Sequence, residues 1–335
     1  MRIVILGAGG LGSVVGGYLA HSGIDVTLIG RPSQVDAIRA RGLQIEGVAG
    51  GFHVTDGLAA ITHASEVAGP IDYFLLAVKY KDTAAALADA KPIVDDVACA
   101  LSLQNSINKD ALLAETFGAD RVIGASITDA GTLIEPGKAI HPMSAKVTAY
   151  FGEVDDHQSD RTRALAEAFS SAGLEARSVD CITQVEREKL AQICIAATWA
   201  TATLGAHPGT VADAWATHHG IEHYVQIGKE VLEVYRGFGY EPQDFYAPLA
   251  HLRRLDSLGF DDAARFITKV AEALRASGKE VRPSMHNDLL RGRITEADEI
   301  ILPFIEAADV QGVDVPTLRA SYRVIKVLES AIGAS

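Results

Sequence analysis

Cysteine is scarce in this chain: three in 335 residues, Cys99, Cys181 and Cys194. They show neither paired nor metal-ligand spacing, which excludes a disulfide scaffold and fits a reducing, cytoplasmic compartment. Positive charge is short as well. Thirty Lys and Arg against 43 Asp and Glu leave a net charge of −13, which argues against nucleic acid or an anionic membrane as the main partner. No apolar run reaches the ~18 residues of a membrane span. The N-terminus reads as a core strand and not as a signal peptide. The 11 histidines lack ligand spacing. His218 and His219 read as exposed, His141 and His286 as ordinary polar residues, and no metal site is expected. Internal repeats and low-complexity tracts are absent too. What is present is length for two domains and a hydrophobic fraction of 48%, ample for sizeable cores.

The most informative stretch is Met1–Gly17. Ile3-Val4-Ile5-Leu6 is an apolar run without charge and reads as a buried parallel strand. Gly7-Ala8-Gly9-Gly10-Leu11-Gly12 follows, and Ser13 to Ser22 has helical spacing. This is G-x-G-x-x-G between strand and helix, the context that dinucleotide binding requires. Gly7 serves the tight turn, Gly9 lets backbone approach a pyrophosphate, and Gly12 lets helix pack on strand. The loop from Gly7 through Gly9, Gly10, Leu11 and Gly12 is therefore expected to hold the cofactor phosphates at the positive end of the helix. The next strand, Asp25–Ile29, ends in Gly30-Arg31-Pro32 with no acid. A carboxylate there would serve a ribose hydroxyl; Arg31 instead suits a 2′-phosphate, so NADP is favoured over NAD. The plainer alternative for Arg31 is a solvated loop residue.

Further strands are expected at 71–78, 98–103, 122–127 and 175–179, helices at 34–41, 82–90 and 160–172, a hairpin over 43–55, and edge strands within 133–151. Strands alternating with helices imply a Rossmann-type, doubly wound parallel α/β sheet. Ligands gather at the carboxyl ends of such strands, where Lys79 and Asn105 also fall. After Val179 the strand pattern stops. Helices are expected at 186–204, 221–238, 263–274, 284–291, 296–311 and 317–331. The reading is thus a cofactor-binding domain over 1–179 and an all-helical domain over 180–335.

In the second domain, Lys189 heads a helix face made by Ile193, Ala196, Ala197 and Ala200. That is either a functional lysine or one snorkelling at a helix start, helped by Glu186. Further on, Gly292 reads as a helix terminator. Thr295 with Asp298 reads as a capping pair that makes Glu296 the first helical residue. The simple role of Glu296 would then be to stabilise the helix dipole.

These features, in this order and spacing, resemble the ketopantoate reductase (2-dehydropantoate 2-reductase) family. They are the N-terminal glycine motif, Lys79 after a strand, Gln104-Asn105, the lysine-headed helix and the stretch from Ser284-Met285 through Arg291-Gly292-Arg293 to Thr295-Glu296-Ala297-Asp298. The resemblance runs from Met1 to about Leu328. It implies a Rossmann domain, a helical domain and a cleft in which NADPH reduces a 2-oxo acid to a 2-hydroxy acid, in pantothenate biosynthesis for the family's namesake. By the same resemblance Gly7, Gly9, Gly12 and Arg31 hold the cofactor, and Lys79 and Asn105 lie on its nicotinamide side. Lys189 is the catalytic lysine, Ser284 binds substrate, and Glu296 lies near it.

Some matches fail. Ile193 and Ala197 stand where ketopantoate-reducing members carry asparagines, Ser106 where a glycine is common, and Ile301 where asparagine is frequent. The catalytic set Lys189, Glu296 and Asn105 is retained, while Ile193 and Ala197, on the substrate side of Lys189, point to a more apolar 2-oxo acid. A protonated Lys189 suits donation to a developing oxyanion, with Asn105 orienting the lysine or the carbonyl. The competing function is a catalytically silent NADPH-binding sensor, which needs neither Lys189 nor Glu296. The sequence leaves a homodimer open.

Overall fold

Ile3, Val4 and Ile5 have no exposed surface, so both faces of the first strand are covered. Ile3 and Ile5 join one apolar cluster, which includes Val14 and Phe169. Val4 and Leu6 join a second, which includes Leu87 and Leu113. A strand buried on two sides is the ordinary state in a parallel sheet flanked by helices. The computed structural model describes all residues except 48–49, 129, 143–145, 248–250 and 334–335. It divides into two units, Met1–Glu186 and Arg187–Ser335.

The first unit runs β1 (Arg2–Leu6), α1 (Gly10–His21), β2 (Asp25–Ile29), α2 (Pro32–Arg41), β3 (Leu43–Gly47), β4 (Phe52–Val54), β5 (Leu58–Ile61), β6 (Ile71–Leu76), α3 (Thr83–Ala90), β7 (Val97–Ser102), α4 (Lys109–Phe117), β8 (Ile123–Ile127), β9 (Thr132–Glu135), β10 (Lys138–His141), β11 (Ala149–Glu153), α5 (Asp160–Ser171) and β12 (Ala176–Ser178). The main sheet has the order β5-β2-β1-β6-β7. All its pairs are parallel. This is the expected Rossmann-type sheet.

In the first unit two elements add to the sequence reading, and in the second two short helices, Val211–Ala214 and Leu252–Ser257, do as well. Edge strand β5 is a short, alanine-containing run without a clear period. Helix α4 follows a polar loop and presents few large apolar residues. The expected hairpin is there, β3 antiparallel to β4, with its tip at 48–49 outside the described residues. Of the stretch 133–151, β9 and β10 form a hairpin, and β10 also pairs with β3 in parallel. Residues 143–145 of that stretch lie outside the described residues. β11 instead joins a separate sheet, β12-β11-β8, in which β8 is antiparallel to it.

The second unit is helical: the greater part of α6 (Ile182–Leu204), then α7 (Val211–Ala214), α8 (His218–Gly237), α9 (Leu252–Ser257), α10 (Phe260–Ala276), α11 (Ser284–Leu290), α12 (Ala297–Ile300), α13 (Leu302–Gln311) and α14 (Pro316–Gly333). Trp199 and Tyr235 are wholly buried in its core. The division between units falls after Val179 because the first turns of α6 pack on the first unit. Ile182 abuts Gly124 and Gly152 there. The helix expected over 296–311 is two helices, broken at Ile301. Pro303 stands in the first turn of α13, where a helix starts readily because no N–H is needed.

Candidate active site

In the first unit, strand register builds one edge. Leu6 pairs with Ile29 on one side and Leu76 on the other, and Leu76 pairs with Ser102. The four strands thus end level, and the loops that follow carry Gly7–Gly12, Arg31, Lys79 and Asn105. Backbone bonds hold the loops down. Gly7 N–H donates to the Ile29 carbonyl at 2.9 Å, Ala77 N–H to Leu6 at 2.8 Å, and Leu103 N–H to Leu76 at 2.9 Å. β5 extends the edge by one strand, since Ile61 pairs with Ile29.

Helix α1 begins at this edge. Its N-cap is Gly9, no side chain caps it, and its first turn holds no acid. Uncapped N–H groups with a positive end suit an anion. Gly7 has φ +120°, in the region that favours glycine. A Cβ on Gly9 would meet nothing within 4 Å, so the loop leaves open space where a pyrophosphate would approach. Gly10 lies backbone to backbone against Gly131, and Leu11 is half-buried beside it. Ser13, buried in α1, accepts a bond from the Gln34 amide at 3.1 Å, and Gln34 accepts from Gly137 N–H at 2.9 Å. Arg31 is exposed and is the N-cap of α2, whose first turn also lacks acids. These residues fit a dinucleotide with a 2′-phosphate.

Lys79 is exposed and Asn105 half-buried. The residue that joins their loops is Gln104, to which the sequence assigned no role. Its amide donates to the Val78 carbonyl at 3.0 Å and the Thr83 hydroxyl at 2.8 Å, while Ser102 donates to its oxygen at 3.0 Å. Its bridging role has no local signal, because two of its partners, Val78 and Thr83, come from the neighbouring strand's loop and helix.

Just beyond, buried Lys109 contacts Glu186 at 2.6 Å and Asp110 at 2.9 Å. Burial opposes its charge, but the two carboxylates outweigh burial and keep the ammonium protonated. Glu186 also accepts from Ala125 N–H at 2.8 Å.

In the second unit Lys189 is only 9% exposed, on the second turn of α6. Its neighbour Glu188 is buried and accepts from Gln243 N–H at 2.7 Å and Phe245 N–H at 3.0 Å. Burial pushes the Glu188 carboxyl above its ordinary range, against the pull of these donors. Ile193 is half-buried against the core, and Ala197 lies within it at 2% exposure. One turn on, the buried Thr201 hydroxyl has no hydrogen-bond partner among the described residues. Ser284 is the exposed first residue of α11.

Glu296 differs from expectation by one position. It is the N-cap of α12, not its first residue, and its side chain makes no cap bond. Asp298 does not complete a capping pair. It accepts instead from Tyr322 at 2.8 Å and Lys326 at 3.0 Å, partners on a distant helix that outcompete the local backbone.

His218 and His219 are exposed, as expected, and each pairs with Glu222. Among the described residues no group of three or more His, Cys, Asp or Glu is placed to hold a metal. No helix among them is long and apolar enough to cross a membrane.

The family profile "Ketopantoate reductase PanE/ApbA" matches residues 3–156, and its C-terminal counterpart matches 182–329. A 2-dehydropantoate 2-reductase of Pyrococcus horikoshii is 30% identical over 340 residues, covering 100% of both chains. The crystal structure of 2-dehydropantoate 2-reductase from Geobacter metallireducens superposes with TM-score 0.78 at 25% identity, covering 98% of this chain and 99% of that one. A D-mandelate dehydrogenase solved with NADH and anilino(oxo)acetate shares the fold, with TM-score 0.78 at 20% identity over 99% of this chain and 100% of that one.

Proposed function

The chain belongs to the ketopantoate reductase family of NADPH-dependent oxidoreductases, and from that premise we propose that it reduces a 2-oxo acid to the 2-hydroxy acid with NADPH in the cytoplasm. The observation that carries this reading is the level edge of β2, β1, β6 and β7, which gathers the glycine loop, Arg31, Lys79 and Asn105.

The uncapped start of α1 and the Gly7–Gly12 backbone would hold the pyrophosphate, and Arg31 the 2′-phosphate. NADPH, when bound, supplies the hydride to the carbonyl carbon. Negative charge then grows on the carbonyl oxygen. The Lys189 ammonium donates a hydrogen bond to that oxygen and then its proton, leaving a neutral amine and the alcohol. Burial makes this donor stronger than it would be in water. Asn105 orients the carbonyl. Glu296 accepts from the new 2-hydroxyl of the product and favours the charged lysine. Ser284 donates to the substrate carboxylate. Ile193, beside Lys189, favours an apolar side chain on the substrate.

The test is a panel of 2-oxo acids, ketopantoate among them, followed by the loss of reduced-nicotinamide absorbance. Turnover with NADPH supports the reading. NADPH binding without turnover of any member would leave a cofactor-binding sensor instead.

A further inference from the structure

Glu296 sits in a turn tied down on both sides by one distant helix. On the near side, Glu329 of α14 accepts from Thr295 N–H at 2.9 Å and from the Thr295 hydroxyl at 2.5 Å. The Thr295 oxygen in turn accepts from Ala297 N–H at 3.2 Å, bridging across Glu296. On the far side, Asp298 accepts from Tyr322 and Lys326. Lys326 closes the ring by contacting the other Glu329 oxygen at 2.6 Å. Tyr322, Lys326 and Glu329 are spaced four and three apart, so they share one face of α14. The Glu329 side chain is 4% exposed, so its bonds meet little competition from water.

We propose that Glu329 is a positioning residue for the reaction, holding the Thr295–Asp298 turn so that Glu296 presents its carboxylate to the substrate. The inference rests on the 2-oxo acid reductase reading above. A cap for α12 alone would not need this arrangement. The Glu296 side chain is not spent on its own helix, and both of its tied neighbours are fastened elsewhere. The backbone on either side of Glu296 is therefore fixed by groups other than its own carboxylate. The link spans 34 residues of sequence, so only the folded chain reveals it.

The experiment compares Glu329→Ala and Glu329→Gln with the unaltered protein by amide hydrogen exchange, steady-state kinetics with NADPH and the best 2-oxo acid, and NADPH binding by nicotinamide fluorescence. In Glu329→Ala, exchange at Thr295 and Ala297 should quicken and KM for the 2-oxo acid rise, each about tenfold or more, as expected when buried groups lose a partner. The kcat should stay within about threefold and NADPH affinity should not change. Glu329→Gln keeps an acceptor oxygen for Thr295 and should recover most of the KM. Quicker exchange with an unchanged KM would make Glu329 merely structural and overturn the proposal, as would unchanged exchange. If Glu329→Ala does not fold, Thr295→Val removes the hydroxyl and keeps the N–H. Its KM should then rise, and an unaltered KM overturns the proposal. An unaltered protein that reduces no 2-oxo acid would reject the reading of function. The exchange measurement, which needs no turnover, tells that failure from this one.

Discussion

Gly12 lies so close to Gly7 that a methyl on Gly12 would overlap the Gly7 carbonyl oxygen, while a methyl on Gly9 would meet no atom within 4 Å. The two glycines therefore answer to different demands. Gly12 is needed by the fold, Gly9 by whatever enters the loop. Gly12→Ala should destabilise the first unit by about 1–3 kcal/mol, the usual cost of overpacking. Gly9→Ala should melt at the unaltered temperature yet bind NADPH about tenfold or more weakly, through loss of the close approach. Thermal melts and fluorescence titration read both. Normal NADPH binding by Gly9→Ala would mean the loop does not carry the phosphates.

Arg31 is exposed at the start of α2, with no acid in that helix's first turn. Charge-assisted bonds to a phosphate are worth about 1.5–3 kcal/mol, or roughly 10- to 150-fold in affinity. Arg31→Ala should lose that much NADPH affinity and leave NADH binding nearly unchanged. Equal losses for the two cofactors would make Arg31 structural.

The parts of the fold and site legible in the sequence are those specified locally. β1 follows from a continuous apolar run, β2 from the mostly apolar Val26-Thr27-Leu28-Ile29, and the glycine loop from its spacing between strand and helix. β5 was not legible, because Leu58-Ala59-Ala60-Ile61 is short and half alanine and gains its identity only by pairing with β2. Pro303 was a legible helix start that a continuous helical pattern overrode. Gln104 and Glu329 act through partners brought close only by the fold, so their roles had no local signal. Asp298 followed a capping pattern in sequence, yet α14 supplied better donors.

Lys189 combines burial with a position two turns into α6. If it is the proton donor, Lys189→Ala should lower kcat by ~10²-fold or more, with NADPH affinity intact. Glu296→Gln should be milder and act mainly on KM. Near-normal turnover by Lys189→Ala would remove the lysine from the mechanism.

Arg161 grips Glu153 with two bonds, at 2.8 and 2.6 Å, and these hold the Glu153 carboxyl below its ordinary 4.5 although burial works against them. The unfolded chain takes up this proton at a higher pH than the folded one. The stability from the pair is therefore full above pH 4.5 and is lost as pH falls through the lower, folded value. Arg161→Met should cost about 1–3 kcal/mol near neutral pH. The gap to the unaltered protein should be smaller at a pH below the lowered, folded value of Glu153 than near neutral pH. Urea midpoints at the two pH values measure it. A gap that persists in acid would assign the cost to packing of the Arg161 stem.

On the proposed reading, the side chain beside Lys189 selects the substrate. The family resemblance implies that ketopantoate-reducing members carry amides where this chain has Ile193 and Ala197. Ile193 is half-buried and open to change, but Ala197 is packed in the helical core. A hydroxylated substrate against Ile193 leaves its hydroxyl unpaired, at ~1–3 kcal/mol, or roughly 5- to 150-fold in kcat/KM. A 2-oxo acid with an apolar side chain, such as 2-oxoisovalerate or phenylpyruvate, should therefore outperform ketopantoate in kcat/KM at one NADPH concentration. Ile193→Asn should move the preference toward ketopantoate. Ala197→Asn would force an amide into a close-packed core and should cost stability before it changes specificity, so the single change is the cleaner probe. Efficient turnover of ketopantoate by the unaltered protein would defeat the apolar-patch argument.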